Sequence, residues 1–256
     1  MLQNKIANKL LSERHSLWLT VTLHLLPGIL IVAAYLLLAA PLAKSFGLPP
    51  FIGWVIAMCI ALIPTELGIL LWLGYRRNNR FSLDGVVHFL DNPISRGKLA
   101  IFVVTLTIWF LVISIALLPI DELVYRTLFK WVPFEGAGGG ISTILNGYPH
   151  KVMVISLAVC IPITGLLLPF IEELYFRGFL MPRLPTSGFW HPVFSSILFS
   201  LYHFWTPWGF LSRVAYLLPA FYFVWRKKDL RISIGTHVGT NFIFQTVGTI
   251  VLIFTK

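Results

Sequence analysis

The sequence predicts an all-α, polytopic membrane protein of about seven transmembrane helices, and three observations carry that prediction. Apolar residues make up 57% of the 256-residue chain and charged residues only 12%, at a mean hydropathy of +0.82. A water-soluble fold with that balance would lack polar side chains to cover its surface, and a disordered chain needs the reverse composition. The apolar residues also fall in runs of about 20, the length an α-helix needs to cross a bilayer. Finally, the basic excess of +10 lies mostly in short connections between those runs, where it sets membrane topology instead of building a nucleic-acid face. A lipid bilayer is the expected surrounding, and nucleic acid is excluded as a partner.

The first run covers about 17–43. Ala39 and Ala40 at its end resemble a signal cleavage site, but about 26 apolar residues exceed the roughly 7 to 15 of a signal-peptide core, so a retained helix is expected. Runs at 51–75 and 99–120 complete an N-terminal three-helix region, residues 1–120. The connection 121–151 carries Asp121, Glu122, Arg126, Lys130, Glu135 and Lys151. Its glycine run from Gly136 to Gly140 reads as a flexible loop without the final glycine of a dinucleotide fingerprint. Asp121 and Glu122 are expected at a helix end, in water. Runs at 152–180, 189–207, 208–225 and 232–255 then make a C-terminal region of four helices, residues 152–256. The fifth and sixth are short, and Trp205-Thr206-Pro207-Trp208 between them equally suits a re-entrant turn. Cys59 and Cys160 lie inside apolar runs and suggest neither a disulfide framework nor a cysteine metal site.

Lys and Arg in the connections give the orientation. Lys5, Lys9 and Arg14 precede the first span; Arg76, Arg77, Arg80, Arg96 and Lys98 follow the second; Arg226, Lys227, Lys228 and Arg231 follow the sixth. The opposite connections hold less positive charge, Lys44 being alone in the first of them, so a cytoplasmic N-terminus and an extracytoplasmic 121–151 loop are expected.

Charged groups inside apolar runs are costly and mark candidate functional sites. They concentrate in the last hundred residues. Glu172, Glu173 and Arg177 interrupt a helix otherwise built of Leu, Phe and Ile; Glu173 and Arg177 are four apart and share a face, so they pair, whereas Glu172 is rotated by about 100° toward another neighbour. Tyr202 and His203 follow on the next helix, and His237 and Asn241, again four apart, lie on the last. Counted from the cytoplasmic helix ends at ~1.5 Å per residue, Glu172, His203, His237 and Asn241 fall ~9–15 Å deep, in one layer. Gln245, one turn beyond Asn241, suits the same cavity. Glu66, His24 and Arg213 read as single groups without an evident partner.

Together the motifs Glu-Glu-x-x-x-Arg (Glu172, Glu173, Arg177), Phe-x-x-x-His (Phe199, His203) and His-x-x-x-Asn (His237, Asn241) resemble, in order and placement, the CAAX prenyl protease and bacteriocin-processing family of intramembrane endopeptidases, also called the Abi family. The resemblance covers about residues 150–245. It implies an integral, multi-pass membrane peptidase, in the cell or inner membrane if the source is bacterial, with the active site facing the cytoplasmic side. Glu172 and His203 would polarise a water for attack on a peptide carbonyl, His237 and Asn241 would stabilise the oxyanion, and Glu173 and Arg177 would fix Glu172 in place. The substrate would be a peptide or protein, lipid-modified or membrane-embedded.

The chemistry of the residues agrees, since amide and imidazole donors in a low-dielectric pocket stabilise developing negative charge. Two cofactor routes stay open: zinc held by Glu172, His203 and His237 with a water in the fourth position, or no cofactor. No His-Glu-x-x-His motif occurs, nor a Gly-x-Ser-x-Gly nucleophile elbow. Two other classes fit the intramembrane charges: a transporter with Glu172, His203 and His237 as a proton relay, and a non-catalytic immunity or scaffold protein that has kept the fold.

Overall fold

The computed structural model describes residues 2–91, 93–132 and 147–255. Among these residues the chain is helical without a strand. Helix α1, Leu2–Leu10, lies ahead of five helices long and apolar enough to cross a membrane. These are α2 (Leu17–Ser45), α3 (Pro50–Asn78), α4 (Arg96–Phe129), α5 (His150–Arg183) and α8 (Arg231–Phe254). Between α5 and α8 lie α6 (Trp190–Tyr202) and α7 (Phe210–Lys227), which pack against each other as an antiparallel pair. The expected all-α class therefore holds, with five spans by length and apolarity where the sequence suggested about seven. At 1.5 Å per residue the 13-residue α6 is only about 20 Å long. The turn expected at Trp205–Trp208 is present: α6 ends at Tyr202 and a single 3₁₀ turn at Pro207–Gly209 leads into α7.

Local sequence explains the helix shapes. Ser16 caps α2, its Oγ accepting from the Leu19 N–H. Proline at N1 opens α3, where a missing N–H costs nothing. Inside α3 and α5, Pro64 and Pro162 cannot donate to the preceding turn and their rings crowd its carbonyl, and there the helices widen into π turns at Ile63–Gly68 and Ile161–Leu167. A further π turn, Glu173–Leu180, follows in α5 and carries Glu173 and Arg177.

The outer faces are apolar. Along α4, Ile101, Val104, Ile108, Val112, Ile115 and Leu118 are all exposed and recur at helical spacing. Such a stripe suits lipid rather than water. Helix α4 also differs from expectation at its far end: it runs past Ile120 to Phe129, so Asp121 and Glu122 sit within the helix. Glu122 is exposed and pairs with Arg126, but Asp121 is half-buried and accepts from Ser212 Oγ of α7 at 2.7 Å. The glycine run from Gly136 to Gly140, with Glu135, lies outside the described residues.

The inner faces close around aromatic rings of α5, α6 and α7. Tyr175, Phe176, Phe179, Phe199, Tyr202 and Phe221 are all buried there. The connection from Asn79 to Ser95 folds back under this core and buries Val86 and Val87. His88 N–H donates to the Gly178 carbonyl, Leu230 N–H to Phe89, and Ile94 N–H to Asp229 Oδ2. A Cβ on Gly178 would come within 2.5 Å of Val87 Cγ1, so a hydrogen atom there is what lets the connection approach α5. At the other end of the sequence, His15 N–H and Arg14 Nη2 donate to the Arg183 and Pro185 carbonyls and tie the start of the chain to the end of α5.

Candidate active site

Glu172 and Glu173, on either side of the junction between the α-helical segment and the second π turn of α5, point in different directions. Glu173 is fully buried, and its Oε1 lies 3.0 Å from Arg177 Nη1, as the spacing of four predicts. The guanidinium of Arg177 is held between the rings of Phe199 and Phe221, 3.9 Å from each centroid, which keeps a buried cation close to two negatively polarised ring faces. The same Glu173 oxygen accepts from His237 Nδ1 of α8 at 2.7 Å. Glu173, expected with Arg177 to fix Glu172, is in direct contact with His237.

Glu172 is held from another side. Its Oε1 accepts from the Tyr202 hydroxyl at 3.0 Å, and its Oε2 stands 3.9 Å from His237 Nε2. At 3.9 Å those two atoms are too far apart for a hydrogen bond and close enough for one small group between them. His203 sits immediately after the last residue of α6, and its Nδ1 is 2.9 Å from the Phe199 carbonyl. A carbonyl only accepts, so Nδ1 carries the hydrogen, and in the neutral ring the lone pair is on Nε2.

Glu172, His203, His237 and Asn241 all line one cavity of about 330 Å³ between α3, α4, α5, α6, α7 and α8. The four residues that the sequence places in one layer are thus brought together. Gln245 lines it too, donating Nε2–H to Thr164 Oγ1 at 2.6 Å, whereas the Asn241 amide makes only a long contact, 3.5 Å, with the Thr164 carbonyl. That leaves Asn241 Nδ2 with donor capacity toward the cavity. Phe110, Leu168, Phe199 and Leu217 supply apolar wall.

For zinc, the set to test is Glu172, His203 and His237. Among the described residues no three His, Cys, Asp or Glu side chains are grouped so that they could hold a metal ion. The donors as arranged do not fit a three-ligand zinc site, and no step below passes through a metal.

Two residues of the site, Tyr202 and Arg213, and one next to it, Glu66, escape the sequence reading. The Tyr202 hydroxyl is the partner of Glu172; its place beside His203 at a helix end is the signal that could have found it. Arg213 is buried, lines the cavity and donates Nη2–H to Thr206 Oγ1 at 2.7 Å. Glu66, in the π turn of α3, is fully buried with neither carboxyl oxygen hydrogen-bonded among the described residues. Its helix packs against the segment of α5 that carries Glu172. His24 is a core histidine, donating Nδ1–H to Thr20 one turn back and packed against Phe176.

No curated protein and no solved structure matches the chain. Residues 153–243 match the family model described as type II CAAX prenyl endopeptidase Rce1-like. The matched stretch encloses all three motifs and every cavity residue drawn from them, and it ends short of Gln245. Glu66 and the helices before α5 lie outside it. This match and the ordered motifs within it support the resemblance of residues 153–243 to the type II CAAX prenyl endopeptidase, Rce1-like family.

Proposed function

We propose that the cavity hydrolyses a peptide bond with a water activated by Glu172, in the manner of an intramembrane CAAX-type endopeptidase. The observation that carries this reading is the opposed pair Glu172 Oε2 and His237 Nε2, 3.9 Å apart on the wall of one cavity. A carboxylate on one side can take a proton from water, and an imidazolium on the other can meet the charge that develops on the carbonyl oxygen.

The steps follow from the hydrogen bonds. Glu172, steered by the Tyr202 hydroxyl, accepts a proton as the water oxygen attacks the carbonyl carbon. The lone pair of His203 Nε2, directed by the Nδ1–H bond to Phe199, helps orient that water. With Nδ1–H taken by Glu173, the role of His237 in this reading is to donate from Nε2–H to the oxyanion. This is the arrangement by which a buried carboxylate supports an imidazolium. Asn241 Nδ2 supplies the second donor. When the tetrahedral intermediate collapses, the leaving nitrogen takes the proton held by Glu172, and a carboxylic acid and an amine are the products.

The substrate in this reading is a peptide or protein segment that reaches the cavity from the cytoplasmic side or from the lipid, in a seven-span topology with a cytoplasmic N-terminus. The test is terminal-peptide mass spectrometry on membranes containing wild type or Glu172→Gln at equal abundance. New peptide ends made by the wild type and absent with Glu172→Gln are expected. Identical termini with both proteins folded would overturn the peptidase reading.

A further inference from the structure

Another cavity, of about 420 Å³, opens where α1 crosses the C-terminal end of α3. Ala7, Asn8 and Leu11 form one wall, and Arg76 and Arg77 the other. Arg76 is half-buried and Arg77 exposed. Of the acids at this end, Glu13 and Asp91 are exposed and line no part of the cavity, and Asp84 is paired with Arg80 at 3.0 Å. The side chains on which the Arg77 charge acts, His88 and Arg183, are basic as well. Gly85 lies against Arg77: a Cβ there would collide with Arg77 Nε, so the glycine lets the arginine lie close along the 79–95 connection.

Exposed aromatic rings give the level of this cavity in a bilayer. Trp18 at the start of α2, Tyr75 in the last turn of α3 and Phe81 just after it are all exposed, and the rings of Tyr75 and Phe81 are 5.4 Å apart. Tryptophan and tyrosine gather where hydrocarbon meets head groups. Helix α1 suits the same level: Ala7 is buried in the core, while Ile6, Lys5 and Lys9 are exposed. A short helix that presents both apolar and basic side chains lies in the plane of that boundary. The cavity therefore opens where phospholipid head groups sit.

We infer that this cavity binds the head group of an anionic phospholipid, with Arg76 and Arg77 on its phosphate. A guanidinium fork matches two phosphate oxygens at once. Basic pockets between helices at a membrane surface select anionic head groups on this principle. The amide of Asn8 offers both donors and an acceptor to the polar remainder of the head group. A lipid seated there ties α1 to α3. None of the residues around Glu172 takes part, so the assignment stands or falls apart from the peptidase reading.

The experiment titrates the intact, delipidated protein in detergent with phosphatidylglycerol or with phosphatidylcholine of the same acyl chains, and counts bound lipid by native mass spectrometry. Wild type is expected to bind phosphatidylglycerol about tenfold tighter. Arg76→Gln with Arg77→Gln brings the two lipids level. Asn8→Asp, at an exposed position, sets a negative charge at the cavity and lowers phosphatidylglycerol affinity several-fold, which keeps the test open if the arginine double variant does not fold. Arg226→Gln with Lys227→Gln removes the same charge from another exposed basic connection and keeps the preference. Equal affinities in wild type, an undiminished preference in whichever cavity variant folds, or an equal loss in the Arg226 and Lys227 pair would each overturn the assignment. The soluble arm is sn-glycerol 3-phosphate, which has the charge without the chains. Binding as tight as that of phosphatidylglycerol would make this a site for a free phosphate ester and overturn the lipid.

Discussion

His237 donates Nδ1–H to Glu173 across 2.7 Å, while Arg177 approaches the same carboxylate oxygen at 3.0 Å. One buried oxygen thereby joins a structural cation to a candidate catalytic ring. Removing Arg177 leaves Glu173 in the core facing a histidine alone. Arg177→Met is expected to lower stability by about 3–5 kcal/mol, the usual result of stranding one partner of a buried pair. Thermal unfolding of the detergent-purified protein measures it, and an unchanged midpoint would contradict the pairing.

Tyr202→Phe keeps the ring and removes the hydroxyl that binds Glu172. Loss of one hydrogen bond to a carboxylate is worth about 1.5–3 kcal/mol. The expected outcome is a kcat lower by about 10- to 100-fold with little change in melting temperature. A fully active variant would show that the hydroxyl does not steer Glu172.

Asn241→Ala should fall short of Glu172→Gln, because His237 still offers one donor to the oxyanion. A loss of about 10²-fold in kcat is expected, in line with removal of a single oxyanion donor elsewhere. A loss as complete as that of Glu172→Gln, in a folded protein, would assign Asn241 a larger part.

Gly28 of α2 lies directly under the Tyr202 carbonyl, and a Cβ there would collide with that backbone oxygen. Gly28→Ala is expected to cost about 1–3 kcal/mol of stability, as overpacking does. It should also reduce activity, since the shift falls on Tyr202 and His203. Wild-type activity and melting temperature together would show that α2 does not brace α6.

Activity is expected to survive incubation with a chelator such as EDTA and dialysis into metal-free buffer, because Glu172, His203 and His237 are not arranged as three ligands. Loss of turnover that returns on adding zinc alone would overturn that expectation.

How much of this was legible in the sequence depends on what kind of signal each residue leaves. Helices α2 to α5 and α8 announce themselves as apolar runs, because lipid exposure demands apolar side chains over the whole length. The extension of α4 to Phe129 does not, since Asp121 is satisfied by Ser212, 91 positions away in sequence. Glu173 and Arg177 were readable as a pair at spacing four. That Glu173 meets His237 was not, because the contact joins positions 64 apart in sequence and exists only once α5 packs against α8. Arg213 read as a lone charge for a similar reason: only the packing of α7 against α4 and α6 brings it to the cavity.

The connection 79–95 has one more consequence. Its hydrogen bonds reach Gly178 in α5 and Asp229 and Leu230 just before α8, so a segment synthesised early waits for partners made last. Until α8 is in place, Val86 and Val87 have no finished pocket and the backbone around Phe89 and Ile94 lacks its acceptors and donors. Assembly is then a closing of the second connection on the start of the last helix, and a ribosome that stops before Asp229 leaves a set of inserted helices with that closure unmade.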